Sequence, residues 1–141
     1  GARLRLAATG GFVRRGGRGG VGVLAGSPAR ADPLHAPAAL AAELGVGGHC
    51  HVAEGPDDRP AGERLQDLAG DDWHLVHCVL LDRHLAGTIA HNPRSNMNNS
   101  VGYAHPATWP NRIVLGTDGI GADMLEAVSY THLTLPTSDL V

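Results

Sequence analysis

The chain has 141 residues, enough for one ordinary domain, with 43% hydrophobic and 18% charged residues and a net charge of −3. That balance fits a globular protein, and it argues against nucleic acid and membrane partners, which call for concentrated charge. No apolar run approaches the roughly 18 residues needed to cross a bilayer, and no signal peptide is visible. Cys50 and Cys78 each follow a histidine inside an apolar segment. Two buried thiols suit a reducing, cytoplasmic setting better than a disulfide scaffold. The chain opens with Gly1 and its first methionine is Met97, so a natural start upstream of Gly1 is expected.

Residues 1–8 read as a short strand. Residues 10–26 are rich in Gly and Arg and are expected to be irregular. Within them Gly17, Gly19 and Gly22 match G-x-G-x-x-G, but no strand-to-helix context surrounds the match, so a nucleotide loop is not expected. Residues 33–44 predict a helix starting near Pro37, closed by Gly45. Residues 46–53 predict a buried strand, 56–62 a polar turn and 63–69 a short helix with Leu65 and Leu68 on one face. Residues 73–81 and 87–90 predict two further strands, 92–99 a polar loop, Arg112–Leu115 a fourth strand and 121–127 a helix. Strands alternate with helices or loops and no Asn-Gly hairpin signal joins them, which predicts parallel β/α units. The stretch between Leu81 and Gly87 is too short for a crossover helix.

Residues 129–141 carry five Ser or Thr, against seven in the preceding 128 residues. They resemble translated adapter or vector sequence. The expected organisation is therefore a folded domain over 1–128 and a non-native tail over 129–141 that packs on nothing.

Several ionisable residues sit where apolar strands end, and in a parallel β/α architecture those ends share one rim, where active sites lie. His51 and Glu54 form H-x-x-E at a strand exit. A neutral imidazole is a good ligand for zinc or a similar divalent ion, and a carboxylate three residues on can reach the same cavity as a general acid or base. The plain alternative is a strand-end histidine beside a solvated glutamate. His49 shares the face of His51 by the period-two rule and is expected to be an interior histidine one layer deeper. His77 ends the next strand and, taken alone, reads as a core or rim residue; His74 lies near that strand's start. Asp118 follows Ile113-Val114-Leu115, where a barrel places a metal-binding or catalytic carboxylate, or else it caps the helix after it. The loop from His91 to Asn99 is rich in amides, which suit recognition of a polar ring or carbonyl, although Asn and Pro also populate plain turns.

The segments HCHVAEG, LVHCVLLD, IAHNPRSNMNNSVGY and VLGTDGIGADMLEA resemble, in that order, the strand 5 to strand 8 motifs of the amidohydrolase superfamily. The nearest branch holds cytosine deaminases, triazine hydrolases and the SsnA-type aminohydrolases, and the resemblance covers residues 37–128. It implies an α/β fold, the C-terminal part of an incomplete (β/α)8 TIM-type barrel. It implies a divalent metal, zinc first, with iron or manganese as alternatives. His51 and Asp118 would be metal ligands. Glu54, His77 and Asp118 would be catalytic: Glu54 hands a proton to the leaving nitrogen, His77 orients water or the oxyanion, and Asp118 takes the water proton. His77, Asn92 and Asn96 would meet the substrate. The implied reaction is metal-assisted hydrolysis of a non-peptide C–N bond in an aminated heterocycle or related compound. The family's remaining ligands, an H-x-H pair on strand 1, would lie upstream of Gly1, and the parent could be a homo-oligomer. Two other readings stay open: a piece with no activity of its own, and a small metal-binding module.

Overall fold

Short runs of β-branched and aliphatic residues, each too short to form a core alone, pair into one six-stranded sheet in the order β1-β2-β3-β4-β5-β6. The computed structural model describes residues 12–14, 22–25, 34–58 and 60–131. The strands are β1 (Phe12–Arg14), β2 (Gly22–Ala25), β3 (Gly47–Val52), β4 (His74–His77), β5 (Thr88–His91) and β6 (Arg112–Leu115). β1 runs antiparallel to β2, and every neighbour pair from β2 to β6 is parallel. The helices are α1 (His35–Leu44), α2 (Ala61–Leu65), α3 (Pro93–Asn98) and α4 (Met124–Thr131). The protein is therefore α/β with parallel pairing, as the alternation of segments implies.

The expectation of irregular chain over residues 10–26 needs correction, because β1 and β2 both lie inside it. Phe12-Val13 and Val23-Leu24 are apolar enough to pair once β3 offers an edge, and a pairing partner outweighs the weak propensity of flanking glycines. The predicted strand over residues 1–8 lies outside the described residues.

α1 starts at His35, ahead of Pro37, because proline in the first turn gives up no hydrogen bond that the turn would have used. Gly45 ends it in the left-handed region at φ 62°, and Val46 N–H reaches Ala41 O at 2.9 Å. That is the closure expected of a C-terminal glycine. α2 begins two residues before the predicted 63–69 span and ends at Leu65.

Side chains alternate along β3, with Gly48, Cys50 and Val52 buried and His49 and His51 only half-buried. The buried set joins Leu75 of β4 and Ile89 of β5 in one apolar cluster with Leu34, Ala61, Leu65 and Trp73. α1 and α2 thus cover one face of the sheet, and the histidines of β3 stand on the other. The Trp73 indole lies flat on Gly48, where a Cβ would come within 2.5 Å of the ring. A side chain at that position would displace the largest ring in the cluster.

β4 is shorter than the predicted 73–81 strand. It stops at His77 because His77 and Cys78 both adopt positive φ, 72° and 53°, which turns the chain out of the extended conformation. Among the described residues no helix separates β4 from β5, as the short spacing predicted. Instead the Asn111 amide donates to Leu85 O at 2.9 Å and Gly87 O at 2.8 Å, pinning that connection to the start of β6.

Residues 92–99, predicted as a loop, form α3, with Pro93 in its first turn. Amide content masked a helix start that proline signals. The helix predicted at 121–127 instead begins at Met124. Gly121 at φ 151° cannot be helical, and the Asp123 carboxylate caps the helix by accepting from Glu126 N–H at 3.0 Å. α4 runs on through residues 129–131, and Tyr103 donates to Thr131 O at 2.9 Å. The first three residues of the predicted unpacked tail therefore form the last turn of a helix with a tertiary partner; 132–141 lie outside the described residues. Among the described residues no helix is long and apolar enough to cross a membrane.

Candidate metal centre

In a parallel sheet all C-terminal strand ends point the same way, so the residues leaving β3, β4 and β6 meet although they are far apart in sequence. His51 is the last residue but one of β3, and Glu54 follows it in the exit turn. Ala53 between them has φ 48°. That turn is fixed by the Asp58 carboxylate, which accepts from Ala53 N–H at 2.7 Å. Glu54 Oε2 then stands 3.8 Å from His51 Nδ1 and 3.6 Å from His77 Nε2.

His77 pairs in register with Val52, whose side chain points into the apolar cluster. Regular strand geometry would send His77 the same way. Its left-handed backbone instead turns the ring toward His51, with ring centroids 4.9 Å apart and planes at 68°. The side chain is wholly buried. Nδ1 lies 2.8 Å from Asn96 Oδ1. A carbonyl oxygen can only accept, so Nδ1 carries the proton of this bond and Nε2 is the nitrogen turned to the site. Nε2 is buried with no hydrogen-bond partner among the described residues. It faces Glu54 and, at 3.9 Å, Asp118 Oδ2.

Asp118 opens the turn after β6, again with positive φ, 56°. Ser95 donates to its Oδ2 at 2.6 Å. That hydrogen bond, with smaller help from Gly119 N–H and the His77 and His51 rings, holds the carboxyl below its ordinary range; partial burial pulls the other way. Asp118 is thus an ionised base next to the open imidazole nitrogen.

The three residues His51, Glu54 and His77 offer ligand atoms that all lie within 4.8 Å of one another, so this group could hold a metal ion. The bare, buried Nε2 of His77 fits that role, since a buried acceptor without a partner is costly unless something binds it. Two imidazoles and a carboxylate are a donor set that divalent transition metals accept. The expected pair of ligands was His51 and Asp118. The tighter cluster brings in Glu54 and His77, with Asp118 beside His77.

Asn96 and Asn92, expected to read a substrate, are buried against the protein itself. Asn96 is fully buried, with its oxygen on His77. Asn92 is 4% exposed and abuts Gly116, leaving no room there for a Cβ. Ser95 and Asn99 were not singled out from sequence, yet Ser95 binds Asp118 and the Asn99 amide reaches Glu54 Oε1 at 3.4 Å. Their spacing, i and i+4 after a Pro helix start, was the available signal. His49 is half-buried and stacks on His74, ring centroids 6.0 Å apart. Burial, then His74 and His51, keep it below its usual pKa. Cys50 and Cys78 are free and buried. Burial pushes Cys50 to about 12 and Cys78 also upward, so neither is a thiolate nucleophile near neutrality.

His91, at the end of β5, is also fully buried, edge-on to Tyr103 with centroids 5.1 Å apart. Neither ring nitrogen has a hydrogen-bond partner among the described residues. Burial lowers its pKa from 6.5 to about 4. Between those values the unfolded chain binds the proton and the folded chain does not, so stability rises with pH across the window and is lost as pH falls through it. At 1.36 kcal/mol per pKa unit the loss is about 3–4 kcal/mol at most. Urea denaturation at stepped pH should show this slope, and His91→Phe should flatten it. An unchanged slope in the variant would assign the pH dependence to another group.

No family model matches this sequence and no solved structure matches this chain.

Proposed function

We propose that this chain carries the catalytic end of a metal-dependent hydrolase of non-peptide C–N bonds, an aminohydrolase or deaminase of an aminated heterocycle or related small molecule. Its sheet is read as the C-terminal part of a (β/α)8 barrel of amidohydrolase type, with zinc as the first choice of metal and iron or manganese as other ions the donors accept. The observation that carries this reading is the buried Nε2 of His77, without a hydrogen-bond partner among the described residues and set between two carboxylates and beside a second imidazole. A divalent ion bound there would supply Lewis acidity, polarising the reacting carbon's substituent and lowering the pKa of water toward about 7. The chain's own residues divide the proton traffic. Asp118, kept ionised by Ser95, takes the proton from the attacking water. His77, whose Nε2 lies within 4 Å of both carboxylates, would orient the water or the oxyanion. Glu54 delivers a proton to the leaving nitrogen, so ammonia or an amine departs neutral.

A second reading is favoured by the compactness of His51, Glu54 and His77. Two imidazoles and one carboxylate are the minimum of a complete mononuclear site, in which Glu54 is a ligand and Asp118 the only base. Zinc content and ammonia release from a panel of aminated heterocycles, read in the longer parent protein that also carries the H-x-H pair, separate the two. In the first reading Glu54→Gln keeps its zinc and loses at least about a hundredfold in rate, the scale of general acid–base catalysis, while Asp118→Ala loses zinc. In the second, Glu54→Gln loses zinc and Asp118→Ala keeps it. Zinc binding that neither substitution disturbs would remove both.

A further inference from the structure

α3 sits between the strand ends that carry the site: it follows β5, which lies between β4 and β6 in the sheet. His77 leaves β4, Asp118 leaves β6 and Glu54 leaves β3. Each of these three side chains takes a hydrogen bond from, or shares one with, a residue of α3 or its C-cap. Ser95 donates to Asp118 at 2.6 Å, Asn96 accepts from His77 at 2.8 Å, and Asn99 reaches Glu54 at 3.4 Å. Ser95 and Asn99 are one turn apart and touch each other at 3.5 Å. The helix is itself tied down: Arg94 pairs with Glu126 of α4 at 2.6 Å, and its guanidinium lies against Gly121.

Asn96 is the informative member. It is fully buried, and its Nδ2 has no hydrogen-bond partner among the described residues. An apolar side chain of the same volume would leave no orphaned donor, so packing alone does not account for an amide here. What the amide does provide is an acceptor for His77 Nδ1–H, the device by which proteins choose the tautomer of a metal-facing imidazole and fix its plane.

We infer that α3 is a positioning element of the site, in which Asn96 sets the tautomer and orientation of His77 and Ser95 fixes the carboxylate of Asp118. This rests on the metal-site reading above but not on which carboxylate is a ligand, since α3 holds both. Neither Ser95 nor Asn96 touches the substrate or the ion; both act through the residues they hold.

The test reads two independent quantities. The first is the nitrogen-15 shift of the His77 ring in metal-free protein at mildly alkaline pH, which reports the tautomer directly. The second is affinity for Zn²⁺, with the Co²⁺ absorption spectrum as a probe of ligand geometry. Asn96→Leu, similar in branching but bulkier, should shift His77 away from the Nδ1–H tautomer and weaken Zn²⁺ by about 10–100-fold, the usual effect of losing an outer partner of a ligand. Asn96→Asp retains an acceptor and should keep the wild-type tautomer, which guards against a fold defect in the leucine variant. Ser95→Ala should leave the tautomer alone and alter the Co²⁺ spectrum, with Ser95→Thr restoring it. A wild-type tautomer in Asn96→Leu, or its loss in Asn96→Asp, overturns the inference. If the wild-type chain binds no Zn²⁺, the metal reading fails, and the tautomer result still decides the role of Asn96.

Discussion

On the proposed metal site, replacing His51 with alanine is expected to lower affinity for Zn²⁺ by more than the roughly 10–100-fold that loss of an outer-shell partner costs. His51 is a ligand in both divisions of labour considered above. It and Glu54 are the partly exposed members of the His51–Glu54–His77 group, with His77 buried beneath them. Catalytic zinc takes three protein ligands and a water, and removing one imidazole leaves too few donors within reach. His49→Ala is the matched control. His49 stands two residues earlier on the same face, stacked on His74 rather than facing His77, and its removal should leave affinity near that of the wild type. Zinc per chain after equilibrium dialysis, with a competing chelator for the constants, distinguishes them. If His49→Ala lost zinc and His51→Ala kept it, the centre would have to be moved one layer down the sheet.

Leu75→Ala is expected to cost about 2–5 kcal/mol of stability, the range for truncating a buried leucine where the surroundings close only partly around the cavity. Leu75 is fully buried on β4, with β3 and β5 hydrogen-bonded on either side, and it packs in the cluster under α1 and α2. A domain of this size has about 5–15 kcal/mol in total, so the variant should be mostly unfolded well below the wild-type midpoint. Urea denaturation should show a lower midpoint with an unchanged slope. Leu125→Ala, at 81% exposed on α4, should stay within about 0.5 kcal/mol of the wild type. Equal effects at the two positions would mean that β4 does not lie at the centre of the core.

Much of this architecture is legible in the sequence because it depends on local patterning. The alternation of Cys50 and Val52 with His49 and His51 displays the two faces of β3 directly. Arg112–Leu115 and the Gly45 stop follow from apolar content and from the unique backbone freedom of glycine. The convergence of His51, Glu54, His77 and Asp118 was also readable, since parallel strands place their exits together. Two kinds of information were not. β1 and β2 form only because a sheet edge is available, which is a tertiary fact that their glycine-rich surroundings conceal. The role of α3 was hidden because Ser95 and Asn96 act on residues 19 to 23 positions away, and composition alone made Asn92 and Asn96 look like surface groups for a ligand.

The left-handed backbone at the strand exits narrows the set of sequences that can carry this site. Ala53, His77, Cys78 and Asp118 all have φ between 48° and 72°, a region that costs most residues about 1 kcal/mol or more and that β-branched residues avoid most strongly. Glycine would meet the backbone demand at each position and bring no donor atom. Valine, isoleucine and threonine fail on the backbone. Histidine and aspartate belong to the few non-glycine types enriched in that region. At positions 77 and 118, then, the conformational filter and the chemical filter admit nearly the same residues. Drift at these two positions is confined from both sides.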